Sequence, residues 1–289
     1  HFAHRTFAWS NEARGKAAVH CVIIGFGLQD LPGKVIYEYE DIRGQAHPRP
    51  ASNINPYLVD APDMVLPRRS KPICDVPEIG IGNKPIDDGN YLFSTQEREA
   101  FIAQEPASAQ WFRRWLGADE FLNGYERWCL WLGDCPPAQL RAMPHAMQRV
   151  QAVKAFRQAS KSAPTQKLAA TPTRFHVENM PQASYLLFPR VSSEKRRFVP
   201  LGFIDQRILT SDSALMSAGA TLFHFGILSS TMHNAWVRAV CGRLESRYRY
   251  SAAIVYNNYP WPFTPATEQA KASDAQVHKA QAAIEAAAQ

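Results

Sequence analysis

In the run Phe188-Pro189-Arg190-Val191-Ser192-Ser193-Glu194-Lys195-Arg196-Arg197-Phe198-Val199-Pro200, four cations and two hydroxyls are interleaved with apolar residues around one carboxylate. Read as a strand, its apolar positions rest on a core while guanidinium, ammonium and hydroxyl groups face an anionic polymer. Ser192, Ser193, Lys195, Arg196 and Arg197 offer donors of different reach that suit phosphate oxygens, and an arginine fork also pairs with guanine O6 and N7. Glu194 differs in kind. A carboxylate weakens a pure phosphate clamp, but it accepts from cytosine N4 or orients an arginine. A second set, Arg243, Arg247 and Arg249, puts positions 247 and 249 on one strand face and leaves Tyr248 and Tyr250 to the other, inner one. A solvated ion-pair strand is the competing reading for the first run.

Other chemistry is thinner. Gly25-Phe26-Gly27 follows an apolar run, but a third glycine and a downstream ribose-binding acid are out of register for a nucleotide loop. Asn55-Pro56-Tyr57 is one residue short of the Asn-Pro-Pro-Tyr loop that holds a flipped adenine, and it reads as a turn. Asp87-Asp88 could serve a metal-dependent nuclease, but preceding Gly89-Asn90 they read as turn formers. His20, His224 and His233 have no companions at metal-ligand spacing and are assigned to the core or an interface.

The charge is local. Between Arg141 and Arg207 twelve Lys/Arg stand against three Asp/Glu, while the 289-residue chain carries a net +6, so the remainder is slightly acidic. That asymmetry points to a basic surface and an anionic partner. With 46% hydrophobic residues the chain can bury a substantial core, in one or two units. Five cysteines without a C-x-x-C pair read as reduced thiols of a cytoplasmic protein without zinc. No apolar run approaches the ~18 residues of a membrane helix. A chain that opens on His1 reads as a piece of a longer protein, its first strand belonging to a domain whose remainder is elsewhere.

The elements that must hold these groups are read from periodicity and punctuation. Val19 to Phe26 reads as a buried strand, paired as a hairpin with Lys34 to Tyr39. Residues 44 to 90, rich in Pro, Asn, Asp and Gly, read as a crossing connection between units. Ser94 caps a helix that carries Glu97 at its third position and runs towards Gln104. A second helix is expected from Pro106 to Gly117 with Trp111, Phe112, Trp115 and Leu116 at helical spacing, then a turn at 121 to 124 and a strand at Arg127 to Leu132. The helix from Pro137 to Lys161 should bury Leu140, Val150, Val153 and Phe156 and leave Arg141, Arg149, Lys154 and Arg157 in solvent. Short strands follow at 175 to 177, 184 to 188 and 196 to 203. Ala220 to Leu228 fits either a strand or a helix. Thr231 to Cys241 reads as a helix with Met232, Trp236, Val237 and Val240 as its apolar stripe. The 243 to 250 and 252 to 256 segments look sheet-like, and beyond Pro265 lies a helical element whose packing partner is expected outside the chain.

Several long phrases carry a resemblance. Phe7 to Phe26, Asn83-Lys84-Pro85-Ile86-Asp87-Asp88-Gly89-Asn90, Leu130-Trp131-Leu132, Pro189 to Pro200, Phe225 to Ser230, Gly242-Arg243-Leu244-Glu245-Ser246-Arg247-Tyr248-Arg249-Tyr250-Ser251 and Tyr256 to Pro262 resemble the MmeI-like single-chain (type IIG) restriction-modification enzymes, in that order. The resemblance implies an α+β fold in which a mixed-sheet and helical target-recognition domain follows a remnant of a methyltransferase α/β sheet. Residues 1-43 would end the methyltransferase domain, 44-82 connect, 83-262 form the recognition domain, and 263-289 begin a helical element or tail. It implies double-stranded DNA as partner, together with an amino-terminal methyltransferase, preceded in some parents by a nuclease, that transfers a methyl group from S-adenosylmethionine to adenine N6. This chain lacks the donor and adenine loops, so no cofactor is expected in it and no catalysis by it alone. The resemblance places base recognition on Ser192, Ser193, Glu194, Lys195, Arg196 and Arg197. Backbone contacts are assigned to Arg190, Arg243, Arg247 and Arg249, with Arg14 and Lys16 contacting DNA backbone or pinning the junction. A basic protein-interaction module and a small nuclease are the alternatives.

Overall fold

A strand that begins at Phe2 organises the amino-terminal sheet. In the computed structural model, which describes residues 1–9, 19–262 and 274–289 (side chains of 274–277 excepted), the sheet order is His20–Gly25, Phe2–Ala8, Lys34–Glu38, His47–Ala51. Phe2–Ala8 runs antiparallel to His20–Gly25 and parallel to Lys34–Glu38, so the expected hairpin between the latter two does not form. Residues that pair across a ladder share a face. Ala3 opposite Ile36 makes the buried face, and His4 opposite Tyr37 makes the other, with rings stacked at 4.2 Å. His20–Gly25 is an edge strand, not a buried one. Val22, Ile23 and Ile24 alternate between its two faces and are all exposed, so neither face of this strand is packed against a layer among the described residues. The opposite edge, His47–Ala51, tolerates Pro48 and Pro50 because an edge strand can spare donors.

The chain divides into two units, each with its own interior. The first comprises His1–Ile73, Ser192–Arg197 and Met232–Pro260. Besides the sheet it contains most of the helix Thr231–Val240 and a hairpin of Gly242–Leu244 against Arg247–Arg249. His233, Val237, Tyr248, Tyr250, Val255, Tyr256 and Tyr259 fill its interior. The buried face of the helix is thus His233, Asn234 and Val237, while Met232, expected in the apolar stripe, is exposed. Ala252–Tyr256 forms a π-helical turn where a strand was expected.

The second unit, Cys74–Val191, Phe198–Thr231 and Trp261–Gln289, holds two four-stranded sheets. One has the order Gly202–Ile204, Tyr185–Pro189, Ala214–Ala218, Gly80–Ile81; the other Ile208–Thr210, Phe112–Leu116, Arg127–Leu130, Leu92–Ser94. Ser94 Oγ accepts from Glu97 N and the Glu97 carboxylate accepts from Ser94 N, so the capping box starts Thr95–Gln104 as the sequence indicates. The helix expected from Pro106 is instead a 3₁₀ turn, Pro106–Trp111, that feeds the central strand Phe112–Leu116, since Trp115 reaches the core by sheet geometry. Residues 118 to 123 are a short helix stopped by Gly124 at φ 73°, where a turn was expected.

Pro137 to Lys161 breaks into Pro137–Arg141 and Pro144–Gln158. Phe156 is 37% exposed and Arg157 fully buried, the reverse of the expectation. The Arg157 guanidinium donates to the carbonyls of Pro85, Ile86, Leu168, Thr171 and Arg174 at 2.8 to 3.0 Å, which satisfies all its donors without water. Residues 175 to 177 contribute only an isolated bridge to Lys84. Leu222–Leu228 is a helix, and Asp274–Ala288 packs on it with Ile284 against Gly226, so the carboxy-terminal helix finds a partner within the chain.

Candidate functional site

The run that reads as one long basic strand is a strand for two residues only. After Val191–Ser192 the chain turns: Ser193 O accepts from Arg196 N at 3.2 Å, and Ser193 Oγ accepts from Lys195 N at 3.2 Å. Local serine hydrogen bonds outcompete ladder pairing here. The turn sorts the candidate residues. Ser192 is buried at 5% exposure, so the structure places it inside rather than among surface donors. Ser193 shapes the turn. Glu194 is half-buried, while Lys195, Arg196 and Arg197 stand exposed. Arg238 Nη2 donates to Arg197 O at 2.8 Å, which ties the end of the turn to the helix 231–240.

The hairpin next to this turn is short and cationic. Val191–Ser192, Arg247–Arg249 and Gly242–Leu244 form a three-stranded sheet in that order. Arg243 opposes Tyr248, and its guanidinium lies 4.0 Å over the Tyr248 ring, while its Nη1 donates to Ser246 O at 3.0 Å. Leu244 with Arg247, and Gly242 with Arg249, pair on the other face; with no side chain at 242, Arg249 is uncrowded. Tyr248 and Tyr250 point inward, as their alternation with the arginines indicates. Glu245, in the two-residue loop, takes φ 58°, a left-handed conformation that costs a non-glycine residue. Its carboxylate accepts from Arg247 Nη2 at 2.9 Å.

Glu194, Arg243 and Ser246 share a groove of about 690 Å³ with Arg5, Glu38, Tyr39, His47 and Arg49 of the amino-terminal sheet, all within the first unit. Glu38 is engaged by Arg5 at 3.2 Å and by Arg49, so those cations are partly neutralised. The groove thus offers separated donors and acceptors, the pattern of an edge reader more than of a uniform phosphate clamp.

Other candidates fall outside this arrangement. Arg190 belongs to the second unit and is half-buried, with Nη1 donating to Asp212 O at 2.9 Å. Arg14 and Lys16 lie outside the described residues. Asp87 Oδ2 accepts from Tyr91 N at 2.7 Å, burial lifts its carboxyl above the usual value, and Asp88 and Gly89 take positive φ, which is turn chemistry. Among the described residues no three His, Cys, Asp or Glu side chains converge as a metal site. His233 shares a 3.0 Å hydrogen bond with Tyr250 Oη, and burial pulls its imidazole down to about 3. Gly25 faces the Phe2 ring and Gly27 the His1 ring, each so closely that a side chain there would meet the ring. Sequence reasoning passed over Glu245, Ser246 and Arg238. The signal for the first two was a two-residue loop between two cationic strands.

Comparison with known proteins gives this geometry a setting. The family description "MmeI, target recognition domain" matches residues 60–263, and "MmeI, DNA-methyltransferase domain" matches residues 1–38. DNA methyltransferase A of Bacillus subtilis (strain 168) is 36% identical over 261 residues, covering 90% of this chain and 29% of that protein. A solved structure of the Type IIL restriction-modification enzyme MmeI in complex with DNA is 48% identical with a TM-score of 0.91, covering 98% of this chain and 37% of that one. The chain belongs to the MmeI family. It spans about a third of the length of these relatives. No helix among the described residues is long and apolar enough to cross a membrane.

Proposed function

We propose that this chain reads duplex DNA sequence-specifically, as the target-recognition portion of an S-adenosylmethionine-dependent adenine-N6 methyltransferase of the restriction-modification class. The observation that carries this reading is the presence of carboxylates among the guanidiniums of one cationic surface: Glu194 and Arg243 line the same groove, and Glu245 accepts from Arg247 at the hairpin loop. An arginine donates to guanine O6 and N7 and a carboxylate accepts from cytosine N4, so such couples discriminate base pairs where cations alone bind any phosphate. Lys195, Arg196, Arg197 and Arg249, exposed around them, supply the phosphate contacts that set register. Ser193 acts by shaping the turn. The relative that is a DNA methyltransferase and the one solved with DNA support the same reading.

On this reading, residues 1-43 complete a methyltransferase sheet, 83-262 form the recognition domain and 44-82 connect them. S-adenosylmethionine belongs to the rest of the parent, which would supply the methyl group to an adenine drawn out of the duplex. The chain alone recognises without methylating. Selection of bound duplexes from a randomised pool tests the proposal: it predicts an enriched asymmetric site, and Arg247→Ala should relax one position of it. Enrichment of no sequence would overturn it.

A further inference from the structure

The segment Met64-Val65-Leu66-Pro67-Arg68-Arg69-Ser70-Lys71 has no regular secondary structure, yet its backbone is held closely. Tyr57 Oη accepts from Leu66 N at 2.9 Å. The π-helical turn 252–256 then presents two buried asparagines to the strap: Asn258 Nδ2 donates to Pro67 O at 3.0 Å and Asn257 Nδ2 to Arg69 O at 2.9 Å. Arg69 N donates to Ala253 O, Arg69 Nε to Asn258 Oδ1 and Ile73 N to Asn257 O, at 2.9 to 3.0 Å. Next to the anchored residues Leu66, Pro67 and Arg69, Met64 and Val65 are 60% and 75% exposed, and Arg68 is exposed as well. From Met64 to Ile73 there are three cations and no acid.

An irregular segment pinned at this many points has already met the entropy cost of ordering, which is the preparation a contact surface needs. Two adjacent apolar side chains make too small a patch for a stable protein interface. Adjacent apolar side chains flanked by arginine and lysine fit a duplex, where an apolar wedge leans into a base step while cations hold the neighbouring phosphates. We propose that the 64–71 strap is a second DNA-contacting element, with Met64 and Val65 wedged against a base step and Arg68 on a flanking phosphate. It rests on the reading of the chain as a DNA-recognition module and gives a specific contact to a segment inside residues 60–263, the part that matches the target-recognition description.

The test uses the 289-residue chain and a duplex recovered by selection, tiled with 2-aminopurine to report unstacking. Wild type should raise fluorescence at one step. The double variant Met64→Ala/Val65→Ala should lose that rise and bind about tenfold more weakly with an unchanged salt slope. Arg68→Ala should keep the rise and lower the slope of log affinity against log salt by about 1. Both sites are exposed, so unchanged thermal melts are expected. No rise at any position with wild type overturns the wedge. Wild-type affinity and salt slope in both variants, while Arg247→Ala still weakens binding, overturns the strap alone. Failure of wild type to bind any duplex overturns the functional reading and the strap together.

Discussion

Arg157 and Arg247 carry the same guanidinium in opposite circumstances. Arg157 is fully buried in the second unit with every donor on a backbone carbonyl, gathering residues 85, 86, 168, 171 and 174 around one side chain. Arg247 stands exposed on the hairpin of the first unit and forms an ion pair with Glu245, two residues away. A cation whose donors are all met inside the protein organises the chain and has nothing left for a ligand. A cation held by one surface carboxylate is oriented and still available. The basic composition between Arg141 and Arg207 therefore overstates the binding surface, because part of it is consumed by the fold.

The largest effect should come from Arg157→Met. Losing these five hydrogen bonds at a buried site should cost more than about 3 kcal/mol in urea unfolding. A loss under about 1 kcal/mol would break the contrast between organising and binding cations. A buried group in the first unit gives the next effect. His233 has its imidazole held down to about 3, against the usual 6.5 of an unfolded chain. The unfolded state takes up the proton first as pH falls, so this contribution is complete above pH 6.5 and is lost progressively between 6.5 and 3. Unfolding at pH 5 should show about 2 kcal/mol less stability than at pH 7.5 from this group. The deficit should shrink in His233→Gln, and an equal deficit in the variant would assign it elsewhere.

Arg247→Ala is the counterpart of Arg157→Met. Its stability should stay within about 0.5 kcal/mol of wild type, while DNA affinity falls by about 1 to 3 kcal/mol with relaxed preference at one base pair. The smallest effect is expected at Ser94→Ala, which removes half of the capping box and should cost about 1 kcal/mol of stability, with DNA binding untouched.

What the sequence shows and what it hides divides along the same line. The Ser94–Glu97 capping box is legible because all its bonds close within four residues. The inward tyrosines of the hairpin are legible because alternation alone places them. Arg157 has the spacing of a solvent-facing residue, because the carbonyls that bury it come from positions 71 and 72 residues earlier and up to 17 later. The spacing of Trp111 and Trp115 mimics a helix, yet the strands at 127–130 and 208–210 take Phe112–Leu116 between them. Val19 to Phe26 reads as buried because apolar content says nothing of what packs on the faces of a strand. At the site, the cations were visible from composition, but the turn was not, since the Ser193 bonds that break the strand compete with an equally plausible ladder. The Glu245–Arg247 couple needed the register of the hairpin to be seen.

Whether the Glu245–Arg247 couple reads a base pair is decided by selecting bound duplexes from a randomised pool with wild type, Glu245→Gln and Arg247→Ala in parallel. One enriched asymmetric site is expected for wild type, with degeneracy at the same single position in both variants. Identical enriched sites for all three proteins, or no enrichment with wild type, would contradict that role.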